Sequence, residues 1–287
     1  MIAITKLVST SLLTTLLIFS YSLAPINAHV FSGDESSSFI SLADQIKSAL
    51  MAIGQNNSSD MDAPKEHGRY ARMLLNDSIL KEINEKNERL ATELPRALDL
   101  LQNISEKSDL NNNITRVLDL LSETIDSRVE KAQLENTTIQ ALAVAGDVDK
   151  VFKEYSAAFN QTAPEMAMNM SNMAMNMSMT RDNETNIEIP TIMEAYDRAT
   201  VLVNVTIDRF EAELKGKSEN VSSEENALSG LEHLREVIQN KERPTDLLGI
   251  VHGEIHPNLQ IAFGLELAKA MSGQNNSSHS TQHQTKT

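Results

Sequence analysis

The sequence predicts an all-α protein made of antiparallel helical bundles. Its apolar residues recur at intervals of three and four, which places them on one side of a helix. No stretch alternates β-branched and polar residues, and no hairpin dipeptide joins two such stretches. Aromatic residues make up only 4% of the 287 positions and Trp is absent, so a core must be built from Leu, Ile, Val, Ala and Met. We expect two helical halves joined by a methionine-rich loop.

The first 28 residues have the pattern of a secretory signal peptide. Lys6 supplies the positive charge, residues 7–19 form the apolar run, and residues 26–28 form a cleavage site. The alternative is an uncleaved membrane anchor, but the apolar run is short for a span and is interrupted by Ser and Thr. The sequence therefore predicts a secreted protein or one on the exterior of the cell envelope.

Asn-x-Ser/Thr sequons independently support export. Such a motif is the acceptor for N-linked glycans in exported proteins. Fourteen of the 24 asparagines begin a sequon, more than chance would give, so we predict a glycoprotein. The sequons begin at Asn56, Asn57, Asn76, Asn103, Asn113, Asn136, Asn160, Asn169, Asn176, Asn183, Asn204, Asn220, Asn275 and Asn276.

The N-terminal half, residues 29–160, contains five predicted helices. Pro64 opens the second of them, and Asn76 marks a break or cap before the third. Pro95 should kink or restart the third helix with Thr92 as the new cap. The asparagines at 111–113 should cap the fourth. The predicted helices span about 38–53, 64 to the break at 76, 78–104, 113–130 and 137–159.

The C-terminal half, residues 190–271, contains three further helical stretches. Pro190 opens a helix of about 190–215, Ser222 starts the second, and Pro244 starts a last stretch that runs to 271. Residues 272–287 contain no apolar residue and are predicted to be disordered. No hydrophobic segment follows, so no membrane span is expected after signal cleavage.

Residues 161–189 separate the two halves and contain a run of closely spaced methionines. This spacing matches no helix face, lacks the β-branched residues of a strand, and is too apolar for an ordinary linker. Closely spaced thioethers suit a soft metal ion, above all Cu(I). Seven of the 13 methionines lie here: Met166, Met168, Met170, Met173, Met175, Met177 and Met179.

The segment 164–179 resembles the methionine motifs of extracellular copper transporters and copper-resistance proteins. The resemblance is local, and it implies copper binding rather than a fold. Two other interpretations of the segment stay open. It is either a Met/Asn spacer or an adaptable Met-rich surface that contacts a partner.

Three histidines form a second candidate metal site. His252 and His256 are one helical turn apart, the spacing at which two imidazoles can share a metal ion. Pro257 biases His256 away from helical geometry, so a kink is expected there. His67 also lies on an inward helix face and is a third candidate ligand. The alternative is that all three are buried, hydrogen-bonded histidines.

Composition excludes several classes of function. A formal net charge of -15 and a pI near 4.9 argue against nucleic acid as a partner. The absence of Cys excludes disulfides, thiolate zinc sites and iron–sulfur clusters. No phosphate loop, dinucleotide fingerprint, nucleophile elbow or zinc-protease helix is present, so no enzyme is predicted. Cleavage after Ala28 would make His29 an N-terminal copper chelate. A copper oxidase or monooxygenase would rest on this predicted cleavage site alone, so it ranks last among the alternatives.

The leading prediction is an exported, glycosylated helical protein that captures, stores or delivers copper or another transition metal. Its partners would be the metal ion and an envelope or copper-accepting protein. The alternative is an interaction module without metal, either in an envelope layer or as a helical ligand-binding domain.

Overall fold

The computed structural model of the protein describes residues 34–55, 62–103, 107–160 and 190–266. These ranges form helices and contain no strand, which confirms the all-α prediction. None of their helices is both long enough and apolar enough to cross a bilayer. The predicted signal peptide, methionine segment and polar tail lie outside the described ranges.

The helices are α1 (Glu35–Gln55), α2 (Asp62–Leu74), α3 (Asp77–Lys86), α4 (Glu88–Gln102), α5 (Lys107–Arg128), α6 (Lys131–Leu134), α7 (Thr137–Ala158), α8 (Met193–Glu213), α9 (Val221–Gln239), α10 (Pro244–Ile250) and α11 (His256–Phe263), with a π-helical turn at Val251–Ile255.

Several helix starts agree with the prediction. Asn76 caps α3 by accepting a hydrogen bond from the backbone N–H of Ile79 at 3.0 Å. Asn136 caps α7, and Pro244 is the first residue of α10. Pro64 lies in the first turn of α2, where its missing N–H would have had no helical partner.

The long helix predicted at 78–104 is two helices that separate at Asn87. This residue has an extended backbone, and its side-chain oxygen accepts from the N–H of Leu90 at 3.3 Å to begin α4. Pro95 stays inside α4, and Thr92 lies in the interior of the same helix. The predicted restart at Pro95 is wrong. A proline inside a helix leaves one backbone carbonyl without its partner, whereas a new helix start leaves several N–H groups unpaired and needs a cap, which Asn87 supplies.

The fourth predicted helix begins earlier than its asparagine run. The run at 111–113 lies inside α5, where the Asn113 amide donates to the carbonyl of Asp109 at 2.8 Å. The prediction that this run caps the helix is wrong. Leu110 is buried in the core, so the apolar face of the helix extends a turn towards its N-terminus.

The apolar core consists of two clusters that meet along α7. The first is built from α1 to α5 and takes in Ile139 and Ala143 near the start of α7. The second is built from α7 to α11 and includes Val144, Val151 and Phe210. The most extensive helix pairing in the described chain is α7 with α8. The core therefore divides along α7, upstream of the methionine segment.

Candidate functional site

His252 and His256 lie side by side at the π-helical turn. Their ring centroids are 5.3 Å apart and the planes meet at 75°. The backbone N–H of His256 donates to the carbonyl of Val251, five residues back, which is the hydrogen bond of a π-helix. Pro257 then falls in the first turn of α11, where its lack of an N–H is tolerated. The irregularity expected at His256 therefore takes the form of a π-turn before it.

Gly230 of α9 allows this turn to pack closely. A Cβ atom added at Gly230 would lie 2.9 Å from Cγ1 of Ile255 and 3.3 Å from Cβ of Glu254. Both distances are shorter than ordinary van der Waals contact. The backbone of α9 therefore helps to set the position of the histidine pair.

Asp149 of α7 faces the pair. Its Oδ1 lies 3.4 Å from Nε2 of His256, whose side chain is 5% exposed. Partial burial raises the pKa of Asp149 to about 7, although 45% of its side chain is exposed. Asp149 is not among the residues predicted from the sequence. The available signal was a pair of acidic residues, Asp147 and Asp149, midway along α7 in an otherwise apolar stretch.

Glu254 points away from the pair, as its position between the two histidines predicts. Its Oε2 lies 3.1 Å from Nδ1 of His233, and both side chains are about half exposed. This hydrogen-bond contact lies at the surface, between the π-turn and α9. It does not join the buried histidine nitrogens.

His67 is completely buried in α2. Neither ring nitrogen has a hydrogen-bond partner among the residues the structure describes. Burial and the positive charge of Arg198 lower the pKa of His67 to about 4, against the opposing effect of Glu194 and Glu154. The imidazole is therefore neutral at pH 7. Neutral imidazole is the form that binds metals, but the charge of Arg198 also repels a metal cation.

A group of charged and phenolic side chains joins α2, α7 and α8 beside His67. Glu154 accepts from Tyr70 at 2.9 Å, and its carboxylate pairs with Lys150 and Arg198, each at 2.8 Å. Burial would raise the pKa of Glu154, but the two cations bring it below its usual value. The Arg198 guanidinium also stacks over the Tyr70 ring, 4.1 Å from its centroid. One carboxylate thus binds two cations and a phenol, and these contacts connect the three helices.

The structure brings His252 and His256 together but places His67 elsewhere. Asp149 and Glu154 are five residues apart on α7, which puts them about 140° apart around the helix axis. His256 and His67 therefore face different sides of α7. Within the four described ranges, no group of three or more His, Asp or Glu side chains is arranged to hold a metal ion.

The residues on the two sides of the 161–189 segment are hydrogen-bonded to each other. Nδ2 of Asn160 donates to Oγ1 of Thr191 at 2.8 Å, and the backbone N–H of Thr191 donates to the carbonyl of Ala158 at 2.8 Å. The residues on either side of 161–189 therefore lie together, at the adjoining ends of α7 and α8. The seven candidate methionines lie outside the described residues.

A second buried polar group, also absent from the residues predicted from the sequence, lies where α1, α7 and α8 meet. Arg209 pairs with Asp44, with Nη2 2.8 Å from Oδ1, and also donates to Gln140 at 2.9 Å. Ser41 donates to Oδ1 of Asp147 at 2.6 Å. Burial and the neighbouring Asp44 charge raise the pKa of Asp147 well above its usual value. Arg209 thus pairs with Asp44, and Asp147 lies beside this pair with a raised pKa.

No protein-family model, no curated protein and no solved structure matches this chain.

Proposed function

We propose that the protein captures, stores or delivers copper outside the cytoplasm, as an exported glycoprotein. The observation that carries this proposal is the run of seven thioethers at 166–179. Methionine sulfur is a soft ligand that suits Cu(I). The anchoring of Asn160 to Thr191 supports it, because a segment tied at both ends loses less conformational entropy on binding a metal than a free tail does. A net charge of -15 also favours attraction of cations.

The histidine pair is the proposed second copper-binding position. His252 and His256 supply two nitrogen donors 5.3 Å apart between ring centroids, and the Asp149 carboxyl lies beside one of them. Imidazole suits Cu(II) and other divalent ions. Two nitrogens make an open, exchangeable position rather than a closed structural site. The proposed position does not include His67, which lies near Arg198 and Glu154 instead of Asp149.

A copper titration of the exported mature chain tests the proposal. Cu(I) and Cu(II) are titrated separately against a coloured chelator at pH 5 and pH 7. Thioethers need no deprotonation, so Cu(I) affinity should change little between these pH values. Binding by the histidine pair should weaken below a pH of about 6–6.5, because a protonated imidazole cannot bind a metal.

Three variants separate the two positions. Changing all seven methionines of 166–179 to Leu should abolish the pH-insensitive Cu(I) binding, whereas His252→Ala with His256→Ala should remove only the pH-sensitive component. The matched control is Met73→Leu with Met193→Leu, two exposed methionines outside the segment, and it should bind copper like the natural chain. If the seven-Leu variant binds Cu(I) as tightly as its parent, the copper proposal is wrong.

The second candidate is an interaction module without metal. It is favoured by the finding that the described helices hold no group of three metal ligands. A natural chain that binds no copper of either valence under the conditions above would support this candidate over the first.

A further inference from the structure

The asparagines of seven sequons lie in the described part of the chain, and they divide by which atom of the asparagine amide is engaged. In one group the oxygen Oδ1 accepts a capping hydrogen bond at the start of a helix, and no hydrogen bond of the described chain uses the nitrogen Nδ2. These are Asn76 (from Ile79 N–H, 3.0 Å), Asn136 (from Thr138 N–H, 2.9 Å) and Asn220 (from Ser223 N–H, 3.1 Å).

In the other group Nδ2 is the atom engaged. It donates to a backbone carbonyl or a hydroxyl oxygen at 2.8–2.9 Å. These are Asn103 (to Asp99), Asn113 (to Asp109), Asn160 (to Thr191) and Asn204 (to Thr200).

Two asparagines of the second group also differ from the first group in their exposure to solvent. Asn113 and Asn204 are half-buried within α5 and α8, whereas the three capping asparagines are exposed. The hydroxyl residue of the Asn204 sequon, Thr206, is completely buried and donates to a backbone carbonyl at 2.8 Å. A glycan at Asn204 would have to leave from a packed helix surface.

We propose that Asn76, Asn136 and Asn220 carry N-linked glycans and that Asn113 and Asn204 do not. This inference rests on the proposed export of the chain. The donor is an oligosaccharide linked to a lipid through phosphate or pyrophosphate. The bond between the sugar C1 and the phosphate oxygen breaks, a bond between C1 and Nδ2 forms, Nδ2 loses one proton, and the lipid phosphate leaves.

The capping geometry is compatible with this product. Glycosylation consumes one hydrogen of Nδ2 and leaves Oδ1 as an acceptor, so each of the three helix caps survives the modification. At Asn113 and Asn204 the modified atom is the one already bonded to the preceding turn of the helix. The folded chain therefore accommodates a bulky sugar at the caps and opposes it in the helix interiors.

Glycopeptide mass spectrometry of the full chain, exported from a host that N-glycosylates, tests this assignment. Enzymatic removal of the glycans in heavy-oxygen water marks each occupied asparagine as a labelled aspartate. Label is expected on the peptides of Asn76, Asn136 and Asn220 and not on those of Asn113 and Asn204.

Substitution of the sequon hydroxyl supplies a control that leaves every asparagine in place. Ser78→Ala and Ser222→Ala change exposed residues, and each should lower the intact mass by one glycan while keeping the caps of α3 and α9. Thr115→Val alters the Asn113 sequon in the same way and should leave the glycan mass unchanged.

Label at Asn113 or Asn204, or unlabelled caps in a chain glycosylated elsewhere, overturns the assignment and leaves the proposed export and copper binding standing. A secreted chain without any glycan overturns both the assignment and the glycoprotein part of the proposed function. The copper titration is read independently of either result.

Discussion

Replacing the buried imidazole of His67 by leucine should change how the free energy of unfolding depends on pH. The folded state holds the pKa of His67 at about 4, whereas an unfolded chain has the ordinary value of 6.5. Between these two values the unfolded state binds more protons than the folded state. The natural protein should therefore lose stability as the pH falls from 6.5 to 4, and the loss should be complete below pH 4.

The pKa difference sets the size of the effect. At about 1.36 kcal/mol per pKa unit, a drop from 6.5 to about 4 corresponds to about 3 kcal/mol. The Leu variant lacks this loss. It should also be more stable than the natural chain at pH 7.5, by about 1–3 kcal/mol, because it removes two buried ring nitrogens that have no hydrogen-bond partner among the described residues.

Urea unfolding followed by circular dichroism at pH 7.5, 6, 5 and 4.5 measures this difference. Glu154, Glu194 and Arg198 face His67 in both chains, so their own titrations largely cancel when the two curves are subtracted. His67→Gln is the matched variant, because it removes the titration but keeps a polar group. It should lose the pH-dependent term without the gain at pH 7.5. If the natural chain and both variants give parallel curves between pH 6.5 and 4.5, the account of His67 as a buried neutral group is wrong.

Three further predictions concern the site and the core. Gly230→Ala should lower the free energy of unfolding by about 1–3 kcal/mol, because the new Cβ would lie 2.9 Å from the π-turn. Gly249→Ala is the control: it has open space around the new Cβ and should raise the free energy of unfolding by up to about 1 kcal/mol. Thermal denaturation measures both changes. Asp149→Asn should gain stability over the natural chain as the pH rises from about 4 to about 7, and the gain should level off above pH 7, since the raised pKa makes the folded state resist ionisation of this carboxyl. Equal stability of the two chains at pH 8.5 in urea unfolding would contradict this. Phe210→Asp places an unpaired charge in the second core cluster and should abolish the cooperative melt, and an unchanged melting curve would mean that its helix face is misassigned.

Features that depend on neighbours within a turn of the chain were predictable from the sequence. Apolar spacing indicated an all-α chain, and Asn136 and Pro244 marked the starts of two helices. The adjacency of His252 and His256 followed from their four-residue separation. In each case the determining interaction is a capping bond, a backbone dihedral or a side-chain pair on one helix.

Local rules did not place the helix break at Asn87 or the start of α5. At Asn87, an asparagine cap and a proline were competing local signals, and the cap prevailed. At α5, burial of Leu110 against other helices extended the helix beyond its asparagine run. The helix propensity of a single residue contributes little to the free energy of folding, and tertiary packing overrides it where an apolar helix face can be buried.

The chemical surroundings of the candidate residues were decided only by the tertiary structure. Asp149 meets His256 across 107 positions of the chain, Arg209 meets Asp44 across 165, and His67 meets the charge of Arg198 on another helix. Sequence spacing specifies which residues share a helix face, but it does not specify which faces pack together. The pKa of a buried group depends on that packing, because burial and charges within a few ångströms dominate the shift. The sequence alone therefore determined the helices and the histidine pair, and the packing of α7 against its neighbours decided which histidine lies beside a carboxyl and which lies beside an arginine.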